Sequence, residues 1–182
     1  RELIDWLDTH RGEPFLLFIH YFWTHIPYVA RPMGSALWRR TTDEVLKALR
    51  SGPRAREGVK GLYRHSVEHF SERWLAELLR HIDLDQHWLA ITADHGESWG
   101  ERQETSALTD VFDLHGHTLY DELVRAVLWI RPPGGVPGGK RSRAAAGLVD
   151  IAPTVLDYVG AEERPPSEGT SLRPFIDGDA PD

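Results

Sequence analysis

Three clusters hold the residues that could do chemistry, and histidine is prominent in each: the chain has ten His among 182 residues. The first cluster runs His20-Tyr21-Phe22-Trp23-Thr24-His25-Ile26-Pro27-Tyr28. His25 follows an apolar run and sits in a Pro-containing segment, so it can face a cleft or serve as a part-buried loop histidine. His20 lies inside the apolar run and reads as a hydrogen-bonded core histidine. The second cluster is Thr92-Ala93-Asp94-His95-Gly96-Glu97. Asp94 offers a hard oxygen ligand, His95 a nitrogen ligand, and Gly96 lets the chain turn tightly below them. Two ligands are too few for a metal site, so others must come from elsewhere, and Asp94 could equally cap a turn. The third cluster is His115-Gly116-His117-Thr118-Leu119-Tyr120-Asp121-Glu122, in which Thr118 and Asp121 fit a helix-start pattern.

Apolar runs and helical stripes must position these clusters. Phe15 to Tyr21 is a continuous apolar run suited to a strand buried on both faces. His87 to Thr92 and Ala126 to Ile130 are two further strand candidates. Arg1 to His10 reads as the end of a helix, and Thr41 or Thr42 can cap a helix through about Arg50, leaving 22–40 irregular. Val59, Tyr63, Val67, Phe70, Trp74, Leu78 and Ile82 form one stripe of a long helix. Leu148 to Val159 reads as helix with Gly160 just beyond it, and the tail from Ala161 as mostly loop. Strands alternating with helices predict an α/β fold with a mostly parallel sheet flanked by helices. Each cluster follows a predicted strand, where open α/β sheets bind ligands.

Composition narrows the function. The formal net charge is −7, from 21 Lys+Arg against 28 Asp+Glu. That is a poor balance for binding nucleic acid or anionic lipid, so no nucleic-acid partner is expected. No apolar stretch reaches the roughly 20 residues of a membrane span. Cysteine is absent, which removes any disulfide, thiolate ligand or cysteine nucleophile from these residues. The chain starts at Arg1 without Met and reads as part of something longer.

In this order the clusters resemble the second part of a sulfatase catalytic domain, in the alkaline phosphatase superfamily, over nearly the whole chain. Pro14 to Tyr21 running into His25-Ile26-Pro27-Tyr28 is similar to the family's strand and PH-x-PY segment. Tyr63 to Leu79 resembles the helix before the metal strand. Ala93-Asp94-His95-Gly96-Glu97 with Gly100-Glu101 resembles SDHGE-x-x-GE, and His115-Gly116-His117 with Leu119-Tyr120-Asp121-Glu122 resembles HG-x-x-LYDE. Val149 to Thr154 resembles DIAPT, and Gly169-Thr170-Ser171-Leu172 the G-x-SL near the domain's end.

The resemblance implies a metal-dependent hydrolase of small-molecule or saccharide sulfate esters. It implies that Asp94 and His95 hold one divalent metal, calcium first, with manganese or zinc as alternatives because His95 stands where an amide is more usual. His25 matches the histidine that contacts sulfate. His117, or His115, matches the region where the family places a Lys or His on the ester. Trp23 and Trp99 lie beside these motifs and could line the substrate cleft. A formylglycine nucleophile and the paired N-terminal aspartates are expected upstream, in a missing N-terminal part of the same domain. Ser51-Gly52-Pro53-Arg54-Ala55 mimics the nucleophile motif but lacks its Arg and reads as a helix-breaking turn. On this reading residues 1–182 supply half a metal site and are inactive alone.

Other readings compete. The superfamily also includes phosphomonoesterases, phosphodiesterases and phosphoglycerol transferases with the same half-site. His65-Ser66-Val67-Glu68-His69 matches the His-x-x-Glu-His pattern of inverted zinc proteases. Periodicity puts that trio opposite the apolar stripe, on a solvated helix face. A non-catalytic fragment is the third possibility.

Overall fold

The computed structural model describes residues 2–29, 31–101, 113–116, 118–136 and 139–178. In chain order the elements are helices α1 (Glu2–Thr9), α2 (Ser35–Arg50) and α3 (Pro53–His69), a π-helical turn (Phe70–Leu75) and helix α4 (Ala76–Leu79). Strands β1 (Leu89–Thr92), β2 (Ser98–Trp99) and β3 (Asp113–Leu114) follow, then helix α5 (Asp121–Val124) and strand β4 (Leu128–Arg131). A 3₁₀ turn (Leu148–Asp150) leads into α6 (Ile151–Tyr158), and α7 (Arg173–Asp177) comes last.

These elements form two compact units. Residues 1–82 and 97–118 make the first, and residues 83–96 and 119–182 the second. In the first, Ile26, Tyr28, Val45, Leu49 and Val59 form a buried cluster, with Tyr63, Trp99 and Leu114 packed on it. Each fully buried apolar side chain of this kind stabilises by about 1.5–3 kcal/mol. The loop carrying His25 and Tyr28 is therefore anchored directly on α2 and α3.

Several sequence expectations need correction here. Helix α2 begins at Ser35, well before Thr41. Thr41 and Thr42 sit inside it, and their hydroxyls donate to the carbonyls of Leu37 and Trp38 one turn back. The apolar face of Val45 and Leu49 outweighs their capping preference. On α3, Val67 is exposed and Ser66 is fully buried. The buried face runs Val59, Tyr63, Ser66, Phe70, Trp74, Leu78, at ordinary helical steps of three and four, and a π turn follows His69. Ser66 tolerates burial because its hydroxyl donates to the Tyr63 carbonyl at 2.7 Å.

The sheet differs most. β1 pairs with β4 antiparallel, Leu89 opposite Arg131 and Thr92 opposite Leu128, and β2 pairs antiparallel with β3. The described residues therefore do not make the mostly parallel sheet that alternation of strands and helices predicts. Between β1 and β4 the only described helix is the four-residue α5, far short of a parallel crossover. Residues 15–22 have side chains alternating between part-buried and exposed, but they join no ladder among the described residues. Leu16 and Phe18 are nearly fully exposed, and His20 is exposed with its ring edge-on to Phe22, so it is not a core histidine.

In the second unit, the predicted helix over 148–159 appears as the 3₁₀ turn plus α6, with Gly160 at φ 67° just beyond its end. Its motif residues are structural. Asp150 accepts from the backbone N–H groups of Gly147 (2.7 Å) and Thr170 (2.8 Å). Fully buried Thr154 donates to the Asp150 carbonyl and accepts from Leu172 N–H at 2.8 Å. These bonds tie the Gly169-Thr170-Ser171-Leu172 segment to α6, so neighbouring backbone donors are satisfied without water. No helix among the described residues is long and apolar enough to cross a membrane.

Candidate functional site

In the first unit, His25 and His115 come together. Their rings meet edge to face with centroids 5.7 Å apart. His25 is stacked on Phe22 at 4.5 Å, and Phe22 on Trp38 at 5.8 Å. The Nδ1 of His25 lies 2.8 Å from the carbonyl oxygen of Ile26. A carbonyl only accepts, so Nδ1 carries the proton and, in the neutral ring, Nε2 carries the lone pair.

His115 is held the same way by a stronger acceptor. Its Nδ1 is 2.9 Å from Oε1 of Glu97, whose side chain is only 11% exposed. The hydroxyl of Tyr28 donates to the other oxygen, Oε2, at 3.0 Å. Tyr28 is itself buried and packs edge-on to Tyr63 (5.5 Å) and tilted to Trp99 (5.8 Å). Burial, reinforced by the charge of Glu97, pushes the Tyr63 phenol above its ordinary value. Tyr63 is thus a neutral wall beside the carboxylate.

Trp99 belongs to this aromatic packing and carries the Lys60 ammonium 5.9 Å from its ring centroid. Trp23 is part-buried, 6.5 Å from the Trp38 ring. His117 lies outside the described residues. Thr118 does not cap α5, whose N-terminal flank is Tyr120 without a side-chain cap bond.

The second unit carries Asp94 and His95 directly after β1. Thr92 anchors the strand end by donating to the Val127 carbonyl at 2.8 Å. Nδ1 of His95 lies 2.6 Å from the Gly96 carbonyl, so it carries the proton. Its Nε2, the nitrogen with the lone pair, lies 3.7 Å from Oδ1 of Asp94. Ligating histidines are commonly fixed in this way, with the second ring nitrogen donating to a backbone carbonyl. Asp94 is 82% exposed and offers a carboxylate on the same side. The pair therefore fits a divalent cation as two of its ligands, one oxygen and one nitrogen. Among the described residues no group of three or more His, Cys, Asp or Glu is gathered for a metal.

Gly96 makes this turn possible. Its N–H donates to the Leu123 carbonyl at 2.7 Å, and a Cβ there would overlap the Glu122 carbonyl. The segment 119–124 thus lies against the turn through backbone contact that only glycine permits.

The protease alternative finds no support in position. His65 and Glu68 are exposed on α3, while His69 is part-buried with its Nδ1 3.4 Å from the Tyr21 hydroxyl.

Glu97 and Tyr28 are the members of the site that spacing did not reveal. They are 69 residues apart in sequence, and Glu97 and His115 are 18 apart. Their one trace in the sequence is that each belongs to a quoted motif segment.

A family model described as Sulfatase matches residues 1–161. N-acetylglucosamine-6-O-sulfatase of Bacteroides thetaiotaomicron is 33% identical over 97 residues, covering 53% of this chain and 16% of that protein. Human arylsulfatase D is 26% identical over 189 residues, covering 98% of this chain and 28% of that protein. The multifunctional alkaline phosphatase superfamily protein PehA of Trinickia caryophylli is 22% identical over 214 residues, covering 95% of this chain and 39% of that protein. The chain thus spans well under half the length of each of these relatives. No solved structure matches.

Proposed function

Because the chain belongs to the sulfatase family, with the α/β fold of alkaline-phosphatase-like enzymes, we propose that it supplies part of the active site of a metal-dependent sulfate ester hydrolase. The substrate class is a small-molecule or saccharide sulfate ester. The observation that carries the proposal is the His25–His115 pair, two rings in edge contact with Nδ1 of each already committed to an acceptor.

The residues divide the work by their chemistry. Asp94 and His95 hold a divalent cation, calcium first, with manganese or zinc as alternatives for the nitrogen donor. When bound, that ion supplies electrophilic polarisation of the anionic ester group. His25 and His115 work through Nε2. A neutral ring with its proton on Nδ1 presents a lone pair there, so it accepts a proton. A protonated ring presents N–H, so it donates to a sulfate oxygen or to the leaving alcohol oxygen. His117 is a further ester-contacting candidate, and Trp23 and Trp99 are candidates for the cleft wall. The sequence has no Cys and Ser51-Gly52-Pro53-Arg54-Ala55 lacks the motif's Arg, so on this reading a formylglycine nucleophile and the remaining metal ligands are supplied by polypeptide outside these residues. Residues 1–182 alone are then inactive.

A second reading is hydrolysis or transfer of phosphate esters. The similarity to a multifunctional member of the alkaline phosphatase superfamily favours keeping it in view.

Metal removal tests the proposal. The full-length protein, stripped with a chelator, is expected to lose nitrophenyl sulfate turnover and to regain it with calcium, manganese or zinc. Full turnover after verified removal of divalent metal contradicts it.

A further inference from the structure

Glu97 has no part in the function proposed above, yet it is among the most enclosed charges of the first unit, with 11% of its side chain exposed. Both of its oxygens are engaged. Oε1 faces Nδ1 of His115 at 2.9 Å, and Oε2 accepts from the Tyr28 hydroxyl at 3.0 Å. A largely enclosed carboxylate held by two donors is rigid, because moving either donor leaves an oxygen poorly satisfied.

The backbone at both ends of this chain is held in an unfavourable conformation. Tyr28 has φ 61° and Leu114, the residue before His115, has φ 84°. Positive φ is costly for bulky side chains and persists only where the surroundings over-determine it. For Tyr28 they do: it is 2% exposed, packed between Tyr63 and Trp99, and tied to Glu97. Nothing in the packing alone requires the phenol oxygen to meet a carboxylate. Phe would fill the same space.

We propose that Tyr28 and Glu97 are positioning residues that lock His115 in one tautomer and one ring orientation. Glu97 fixes the proton on Nδ1, and Tyr28 fixes Glu97. Nε2, on the ring edge away from Glu97, is thereby kept as the working nitrogen of His115. The arrangement has the logic of a carboxylate behind a catalytic histidine, with a tyrosine as a third tier. The proposal rests on the reading that His115 acts on the ester, but the tautomer is measurable without any substrate.

The test uses full-length protein labelled with ¹⁵N-histidine, and His115 assigned by its loss in His115→Asn. At a pH where the ring is neutral, nitrogen–proton correlation is expected to show the proton on Nδ1. Glu97→Gln, an isosteric change, is expected to disturb that tautomer and to lower kcat about 10–100-fold with little change in KM, as loss of a supporting partner does. Tyr28→Phe keeps the ring packing and is expected to give a smaller loss in the same direction. A melting curve identifies any variant that fails to fold, in which case the wild-type tautomer and Tyr28→Phe decide. His115 found with its proton on Nε2, or folded Glu97→Gln with unchanged tautomer and kcat, overturns the proposal. Absence of sulfate turnover in the wild type alongside the expected tautomer would overturn instead the sulfatase reading and the catalytic part of this one.

Discussion

His115→Asn in the full-length protein is expected to lower kcat for a sulfate ester about 10²–10³-fold while leaving the fold intact. Asparagine is the informative substitution because its side-chain N–H can replace Nδ1–H. It can still donate to Glu97, so the largely enclosed carboxylate keeps both partners. What it removes is Nε2. Alanine would confuse the two effects, because truncation leaves a charge with one donor lost. The magnitude follows from removing one preorganised group that meets developing charge. His25→Asn is expected to behave alike, with its amide donating to the Ile26 carbonyl in place of the ring. The two rings are in contact at 5.7 Å, so their effects should not add. The double variant is expected to be far less impaired than the product of the singles. Steady-state kinetics of the four proteins provides the check. Full additivity would separate the roles of the two histidines.

The second large effect concerns the cation. Asp94→Ala is expected to weaken calcium binding by more than the roughly 10–100-fold that loss of an outer-shell partner costs, because a ligand itself is removed. Activity at limiting calcium falls with it. His69→Ala is the matched control. It removes one histidine of the His65-Ser66-Val67-Glu68-His69 pattern, whose residues His65 and Glu68 are solvent-exposed on α3. It is expected to leave metal affinity unchanged. Calcium and zinc titrations by calorimetry on both variants measure this. Loss of a tight site in His69→Ala, with none in Asp94→Ala, would move the metal to α3 and revive a protease reading.

Part of the fold is legible in the sequence. Two strand runs appear nearly where periodicity puts them, at Leu89–Thr92 and Leu128–Arg131, because short apolar runs bounded by turn residues leave few alternatives. Helix α6 ends where Gly160 adopts positive φ. Pairing direction was not legible. A strand's own residues do not say which neighbour it bonds, and here β1 meets β4 antiparallel. On α3 the buried position between Tyr63 and Phe70 is Ser66 rather than Val67, because at about 100° per residue position 66 lies nearer the line through 59, 63 and 70.

The candidate site divides in the same way. His25, Asp94, His95 and His115 stand out as candidates in the sequence because residue type and motif order point to their chemistry. Glu97 and Tyr28 carry no such signal in the sequence. Their meeting with His115 joins three segments far apart in sequence, and no spacing rule connects them. Thr154 and Asp150 show the opposite lesson. They lie in a motif of the resemblance, yet their side chains bind backbone and hold a loop to α6.

The central claim is that these residues serve sulfate ester hydrolysis. Sulfate monoesters carry one negative charge and phosphate monoesters about two, and a site built for the dianion needs more positive groups. The direct measurement is kcat/KM of the full-length, metal-loaded protein on nitrophenyl sulfate and on nitrophenyl phosphate. The account predicts turnover of the sulfate ester, with the larger kcat/KM. Turnover of the phosphate ester alone would contradict it.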